Sequence, residues 1–203
     1  MVCHSFNPTE AQRIVVGLIF ACIIRRSTVA KPLNVIGIRI TLNRGKHTMM
    51  SKKAINRYKL PVPKNLLQRI DRTSSPAHMG KLRNAIDFIV YEQTPVLAAA
   101  DGIVSFVKDS SNTGGSTPMY WDYTNFIVIR HSNREYSRYD HLSYHSAMVK
   151  VGQHVKAGGQ IARVGMTGYT YLPHLHFQVF VIIGINGWTD IDTLEVQDFD
   201  TFN

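Results

Sequence analysis

Cysteine is nearly absent from these 203 residues: Cys3 and Cys22 are the two present, both near the N-terminus. That excludes a disulfide-dense scaffold and a cysteine-held zinc site, so any metal must rest on His, Asp and Glu. Acids are scarce in the first third. Residues 1–72 hold 14 Lys and Arg against only Glu10 and Asp71, a net +12, whereas residues 73–203 carry −3. The overall charge of +9 therefore describes an extension. A domain reading nucleic acid would carry its positive charge on the folded part, so no specific nucleic-acid partner is expected. Contact of the extension with an anionic surface is the reading its charge supports.

Long apolar runs are missing too. The longest, Ile14 to Ile24, covers eleven residues, about half of the roughly 20 that a transmembrane helix needs. Its length suits a secretory signal or anchor, with Arg13 before it and Ser27-Thr28-Val29-Ala30 as a small-residue cleavage site. Arg25 and Arg26 fall between the run and that site, which leaves a packing segment, or a true start at Met49 or Met50, as the other readings. Val35, Ile36, Ile38, Ile40 and Leu42 alternate as in a strand. Residues 46–72 are basic, contain Pro61 and Pro63, and read as an extended connector.

Helical periodicity is lacking as well: from Asn84 onward no segment keeps an apolar stripe over three turns. What is present is a globular composition, 44% hydrophobic and 18% charged, which excludes a wholly disordered chain. Short apolar runs stand between Gly, Asn, Asp and Pro: residues 85–90, 96–100, 102–107, 126–130, 136–139, 160–165 and 175–183. That spacing predicts an all-β fold, a mainly antiparallel sandwich or barrel-like structure. Residues 109–124 read as a long loop whose Met119-Tyr120-Trp121 end lines a cleft. The expected organisation is a basic extension over 1–72, a β domain over 73–187, and an acidic tail over 188–203, five acids and no base, as a solvated segment or a loose final strand.

Histidine is the residue in excess, and six of the nine lie between 131 and 176. Successive side chains of a strand point to opposite faces, so in Pro173-His174-Leu175-His176-Phe177-Gln178 the residues His174, His176 and Gln178 share a face, with Leu175 and Phe177 toward the core. Two imidazoles side by side suit a metal or a proton-transfer pair. Nearly the whole β region precedes them, so the remaining partners must lie upstream. Asp87 sits inside the apolar run Ala85 to Val90, where an unpaired carboxylate is costly and calls for a cation, a metal or several donors. His78, nine residues earlier, and His141, in Tyr139-Asp140-His141-Leu142, complete the candidates. Together they amount to a zinc set of two imidazoles and one carboxylate with a fourth position open, plus two further imidazoles. His131, His145 and His154 read as structural or surface residues, and His4 and His47 lie far from the motifs.

In order and wording these segments resemble a known family. His78, Ala-Ile-Asp87-Phe, Thr94-Pro-Val-Leu-Ala-Ala-Ala-Asp101-Gly102, Asn125-Phe-Ile-Val-Ile-Arg-His131, Tyr139-Asp-His141-Leu, Val151-Gly152 through Gly158-Gly-Gln160-Ile, Gly165-Met-Thr167-Gly168 and Pro173-His174-Leu-His176-Phe follow one another over residues 76–180. This is similar to the lysostaphin/LytM-type zinc metalloendopeptidases, which cut the peptide part of bacterial peptidoglycan. The resemblance implies a duplicated hybrid motif fold with a groove over one sheet and one zinc ion per chain. It implies His78, Asp87 and His176 as metal ligands, and His141 and His174 as catalytic imidazoles. One departure stands out: eight residues, Met79 to Ile86, separate His78 from Asp87, where the short form of the motif has three.

Read this way, the chain is a zinc-dependent endopeptidase that uses a metal-activated water on peptidoglycan cross-links or stem peptides, in the cell envelope or secreted. Tyr169 and Tyr171, on the loop entering the paired-histidine strand, are candidate substrate contacts. Two rivals remain: a catalytically inactive relative that binds or regulates at the cell wall, and a carrier domain built on the hairpin around Lys156. The second is disfavoured because Lys156 stands between Val155 and Ala157 rather than in a Met-Lys-Met turn.

Overall fold

Alternating residues at both ends of the β region turn out to bury their apolar half, and this sets the limits of the domain. The computed structural model describes residues 52–73 and 78–200, which belong to the unit His47–Asn203. The run Ile14 to Ile24, the alternation Val35 to Leu42, both cysteines, His4 and His47 lie outside the described residues.

The strands are β1 (Tyr58–Lys59), β2 (Arg69–Asp71), β3 (Ile86–Ile89), β4 (Pro95–Leu97), β5 (Gly102–Lys108), β6 (Gly114–Gly115), β7 (Phe126–Arg130), β8 (Glu135–Asp140), β9 (His154–Val155), β10 (Gln160–Arg163), β11 (Gly168–Tyr169), β12 (His174–Ile182), β13 (Ile191–Leu194) and β14 (Phe199–Asp200). The principal sheet runs β2-β3-β12-β8-β7-β5-β9, with β13 pairing the distal half of β12. Every pairing in it is antiparallel. β4 and β10 form an antiparallel pair, while β6–β11 and β1–β14 are short parallel pairs. Among the described residues every helical element is a 3₁₀ turn. The mainly antiparallel all-β expectation holds, and six of the seven apolar runs coincide with β3, β5, β7, β8, β10 and β12 to within about two residues.

One face of β12 carries Leu175, Phe177 and Val179, which meet Ile86 and Phe88 of β3, Tyr139 of β8 and Ile127 and Ile129 of β7. Phe177 is the hub, with its ring edge-on to Tyr58, Phe88, Tyr139 and Phe199 at centroid distances of 6.4, 6.1, 5.2 and 5.9 Å. Each such aromatic pair contributes about 0.5–1.5 kcal/mol beyond area burial. The long middle strand of the sheet is therefore fixed on its reverse side, and the histidine face opposite inherits that rigidity.

The connector expected over residues 46–72 is corrected for its described part. Tyr58, Leu60 and Val62 alternate into the core, and the backbone bonds Lys59 N–H to Ala99 O (2.7 Å) and Leu97 N–H to Pro61 O (2.8 Å) tie this segment to β4 and the residues that follow it. Pro61 and Pro63 lack the N–H a ladder needs, so the segment pairs only in short stretches. Of the two readings of residues 188–203, the solvated tail is corrected and a strand is found. Ile191–Leu194 is a sheet strand, Leu194 and Val196 are buried, and the Phe199 ring lies 5.2 Å from Phe88. Two of the acids are ion-paired: Asp192 with Arg83 at 2.6 Å and Asp200 with Arg57 at 2.9 Å. The expected loop over 109–124 contains β6 and a 3₁₀ turn, Pro118–Tyr123.

Candidate metal centre

Antiparallel register does the assembling. His176 pairs with Asp87 on one side and with Asp140 on the other, and Gln178 pairs with Arg138. Cross-strand partners share a face, so Asp87, His176 and Asp140 form a row across β3, β12 and β8. His174 opens β12 two residues before His176. His141 follows β8 directly with φ at +62°, a left-handed conformation that turns the chain sharply at the edge of the row. His78 comes from the segment before the 3₁₀ turn Gly80–Leu82.

Ligand atoms of His78, Asp87 and His176 all lie within 4.8 Å of one another. Asp87 Oδ1 stands 3.2 Å from His78 Nε2 and 2.9 Å from His176 Nδ1. Metal–ligand bonds of about 2.0–2.1 Å in a tetrahedral zinc site would set such atoms about 3.3 Å apart. His78 is buried, yet among the described residues neither of its ring nitrogens meets hydrogen-bond geometry. Buried imidazole nitrogens are normally satisfied, so this orphaned ring, a second imidazole and a carboxylate fit a metal of zinc's type.

The other two imidazoles are tied at one nitrogen each. His141 Nδ1 lies 2.8 Å from the Thr167 carbonyl oxygen, and His174 Nδ1 lies 2.9 Å from that of Leu172. A carbonyl only accepts, so both rings donate from Nδ1–H and leave Nε2 as the free lone pair when neutral. Their centroids are 4.6 Å apart, and His174 Nε2 is 3.6 Å from Asp87 Oδ1.

Electrostatics keep the groups distinct. Burial acts to raise the Asp87 carboxyl, but the hydrogen bond from His176 and the His78 ring beside it outweigh this and hold the group far below the usual carboxylate range. The Asp87 carboxylate, 3.2 Å away, raises His78. Burial, with His174 alongside, pushes His141 down to about 4. Burial also lowers His174. Both are neutral at pH 7.

The description Peptidase family M23 matches residues 81–189. The chain belongs to that family. The matched span includes Asp87, His141, His174 and His176 and begins three residues after His78. Among curated relatives, the chain is 36% identical over 106 residues to peptidoglycan DD-endopeptidase ShyC of Vibrio cholerae, covering 52% of this chain and 22% of that protein. It is 36% identical over 101 residues to DD-carboxypeptidase/endopeptidase Mpg of Neisseria meningitidis, covering 50% of this chain and 20% of that one. A crystal structure of a zinc-containing peptidase from Vibrio cholerae superposes with a TM-score of 0.50 at 26% identity, over 71% of this chain and 41% of that chain. The chain thus spans about a fifth of the length of these two curated relatives.

A cavity of about 300 Å³ borders His141 and His176. Trp121 and Tyr169 line it, with ring centroids 6.1 Å apart. Tyr171 is 68% exposed and lies outside that lining, its hydroxyl 2.6 Å from that of Tyr169. Lys81, Arg138 and Asp140, to which the sequence assigned no role, line the same cavity, as does Gln178, which alternation places on the histidine face. The signal for two of them was available: the alternation that puts His174, His176 and Gln178 on one face also puts Arg138 and Asp140 on one face of β8. His131 is buried, and His145 and His154 are exposed.

Proposed function

We propose that this M23 chain is a zinc-dependent endopeptidase acting on the peptides of bacterial peptidoglycan. The observation that supports it most is the convergence of His78, Asp87 and His176 around a common point, beside two imidazoles whose free nitrogens are both Nε2. His78, Asp87 and His176 would hold the metal, and three protein ligands leave a further position available. When bound, zinc supplies Lewis acidity toward the scissile carbonyl and acidifies a water from about 15.7 towards about 7. Nε2 of His141 or His174 takes the proton of the attacking water. The other ring then hydrogen-bonds the developing oxyanion or delivers a proton to the leaving amine. The Thr167 and Leu172 carbonyls fix which nitrogen does so. Trp121 and Tyr169 flank the peptide.

The reading also places the protein at the cell envelope, where peptidoglycan lies, with the basic extension toward an anionic surface. An inactive wall-binding relative gains no support, since all five side chains are present. Incubating the full chain with purified sacculi, with and without a chelator, tests the proposal. Soluble fragments with new peptide termini are expected, lost with chelator and restored by zinc. A zinc-loaded protein that releases nothing overturns it.

A further inference from the structure

We infer that Arg138, assisted by Lys81, forms a recognition site for a free carboxylate of the substrate peptide; the inference rests on the peptidase reading. Arg138 Nε donates to both oxygens of Asp140, at 2.7 and 3.0 Å. Its guanidinium carbon sits 3.9 Å over the Phe126 ring. One edge of the group is thus anchored and its plane is held, while its two terminal nitrogens make no hydrogen bond to any described residue. A guanidinium fixed in this way is preorganised for bidentate binding of a planar oxyanion.

Lys81 lines the same cavity. Its ammonium donates to the Thr189 carbonyl and has no carboxylate partner among the described residues, whereas neighbouring Arg83 is neutralised by Asp192. Asp140 offsets Arg138, so Lys81 leaves this end of the groove one unit positive. Gln178, in register with Arg138 and 2% exposed, has an Oε1 with no hydrogen-bond partner. A buried acceptor beside an anchored guanidinium with two open donors and an ammonium without a carboxylate partner describes a polar subsite awaiting a ligand that both accepts and donates. A peptide presenting a carboxylate next to an N–H does both, and carboxylate is the anionic group a peptide substrate carries. The spacer Met79 to Ile86 acquires a purpose here, since it brings Lys81 to the rim.

The carboxylate has two sources, the peptide's C-terminus or a side chain near the scissile bond. The test uses the zinc-loaded full chain and three versions of one purified cross-linked muropeptide: unmodified, amidated at the C-terminus, and amidated at the side-chain carboxylate. One amidation is expected to lower kcat/KM about tenfold or more, and which one identifies the source. In Arg138→Met that ratio falls to about one, and in Lys81→Gln, a surface change that spares the fold, it shrinks. The same peptides are titrated into the metal-free chain by calorimetry. Cleavage that ignores both amidations overturns the inference and leaves the peptidase reading standing. Carboxylate-dependent binding without cleavage does the reverse. Absence of both overturns both.

Discussion

The buried Glu135 carboxylate accepts a hydrogen bond from the Tyr58 hydroxyl at 2.9 Å, across 77 residues of chain. The same carboxylate accepts from the backbone N–H groups of Ile55 and Asn56 and from the Asn56 side-chain amide. One acid at the start of β8 thereby gathers four donors from the segment that precedes β2. Burial, then the Glu135 charge, push the Tyr58 hydroxyl well above its ordinary range.

Glu135→Leu is expected to cost about 3–5 kcal/mol, the scale for removing one partner of a buried charged network. Tyr58→Phe removes a single donor and should cost about 1–2 kcal/mol. Urea unfolding measures both. Equal losses would mean that the carboxylate is not the organising group.

This contact also explains where sequence reading stopped. The central strands were legible because alternation and Gly, Asn and Asp boundaries coincide in them, as in Phe126 to Arg130. Asp87 and His176 were legible because an acid and an imidazole inside apolar runs need partners. Tyr58, Leu60 and Val62 carry the same alternation, but Pro61 and Pro63 and a basic surround hide it. Their binding depends on Glu135 and on β14, distant positions that no local pattern reports. The acids of residues 190–200 look like a solvated tail because the composition shows charge, not the arginines that meet it. Arg138 escaped notice because it is ordinary in its own strand, and only the β8–β12 register joins it to Gln178.

His141 occupies a conformation that suits glycine. At φ of +62° a side chain costs roughly 1–2 kcal/mol, a strain of the kind found at functional sites and in keeping with the role proposed for this ring. His141→Gly should therefore be about 1 kcal/mol more stable than His141→Ala, while both lose turnover about 100-fold or more. Thermal melts and hydrolysis assays on the pair check this. If the alanine variant is the more stable, the strain assignment is wrong.

Adjacent members of the His-Leu-His run should separate by function. His174→Ala is expected to retain one zinc per chain and lose turnover about 100-fold or more. His176→Ala and Asp87→Asn should lose the zinc itself. Metal analysis after dialysis, beside activity, distinguishes the two outcomes. Equal loss of metal and turnover in His174→Ala would reassign that ring to the ligand set.

His131 gives the fold a pH dependence of definite sign. Its Nδ1 lies 2.8 Å from the Asp101 carbonyl oxygen and its Nε2 2.7 Å from Ser137 Oγ. The carbonyl only accepts, so Nδ1 carries the proton, and burial disfavours a second proton on Nε2. The Tyr58 ring edge stands at 5.4 Å, and burial lowers His131 below its ordinary 6.5, against the opposing pull of Asp101 and Glu135. The unfolded chain therefore binds a proton near pH 6.5 that the native ring refuses. Stability from this group is complete above that pH and declines as pH falls towards the lower native value. His131→Leu should be less stable than the parent at pH 7.5 yet lose less on acidification to pH 5.5, since the titrating site is gone. Urea midpoints of both proteins across that range measure the difference. A parent that loses no more stability than His131→Leu would show that the native ring takes up its proton as readily as the unfolded chain does.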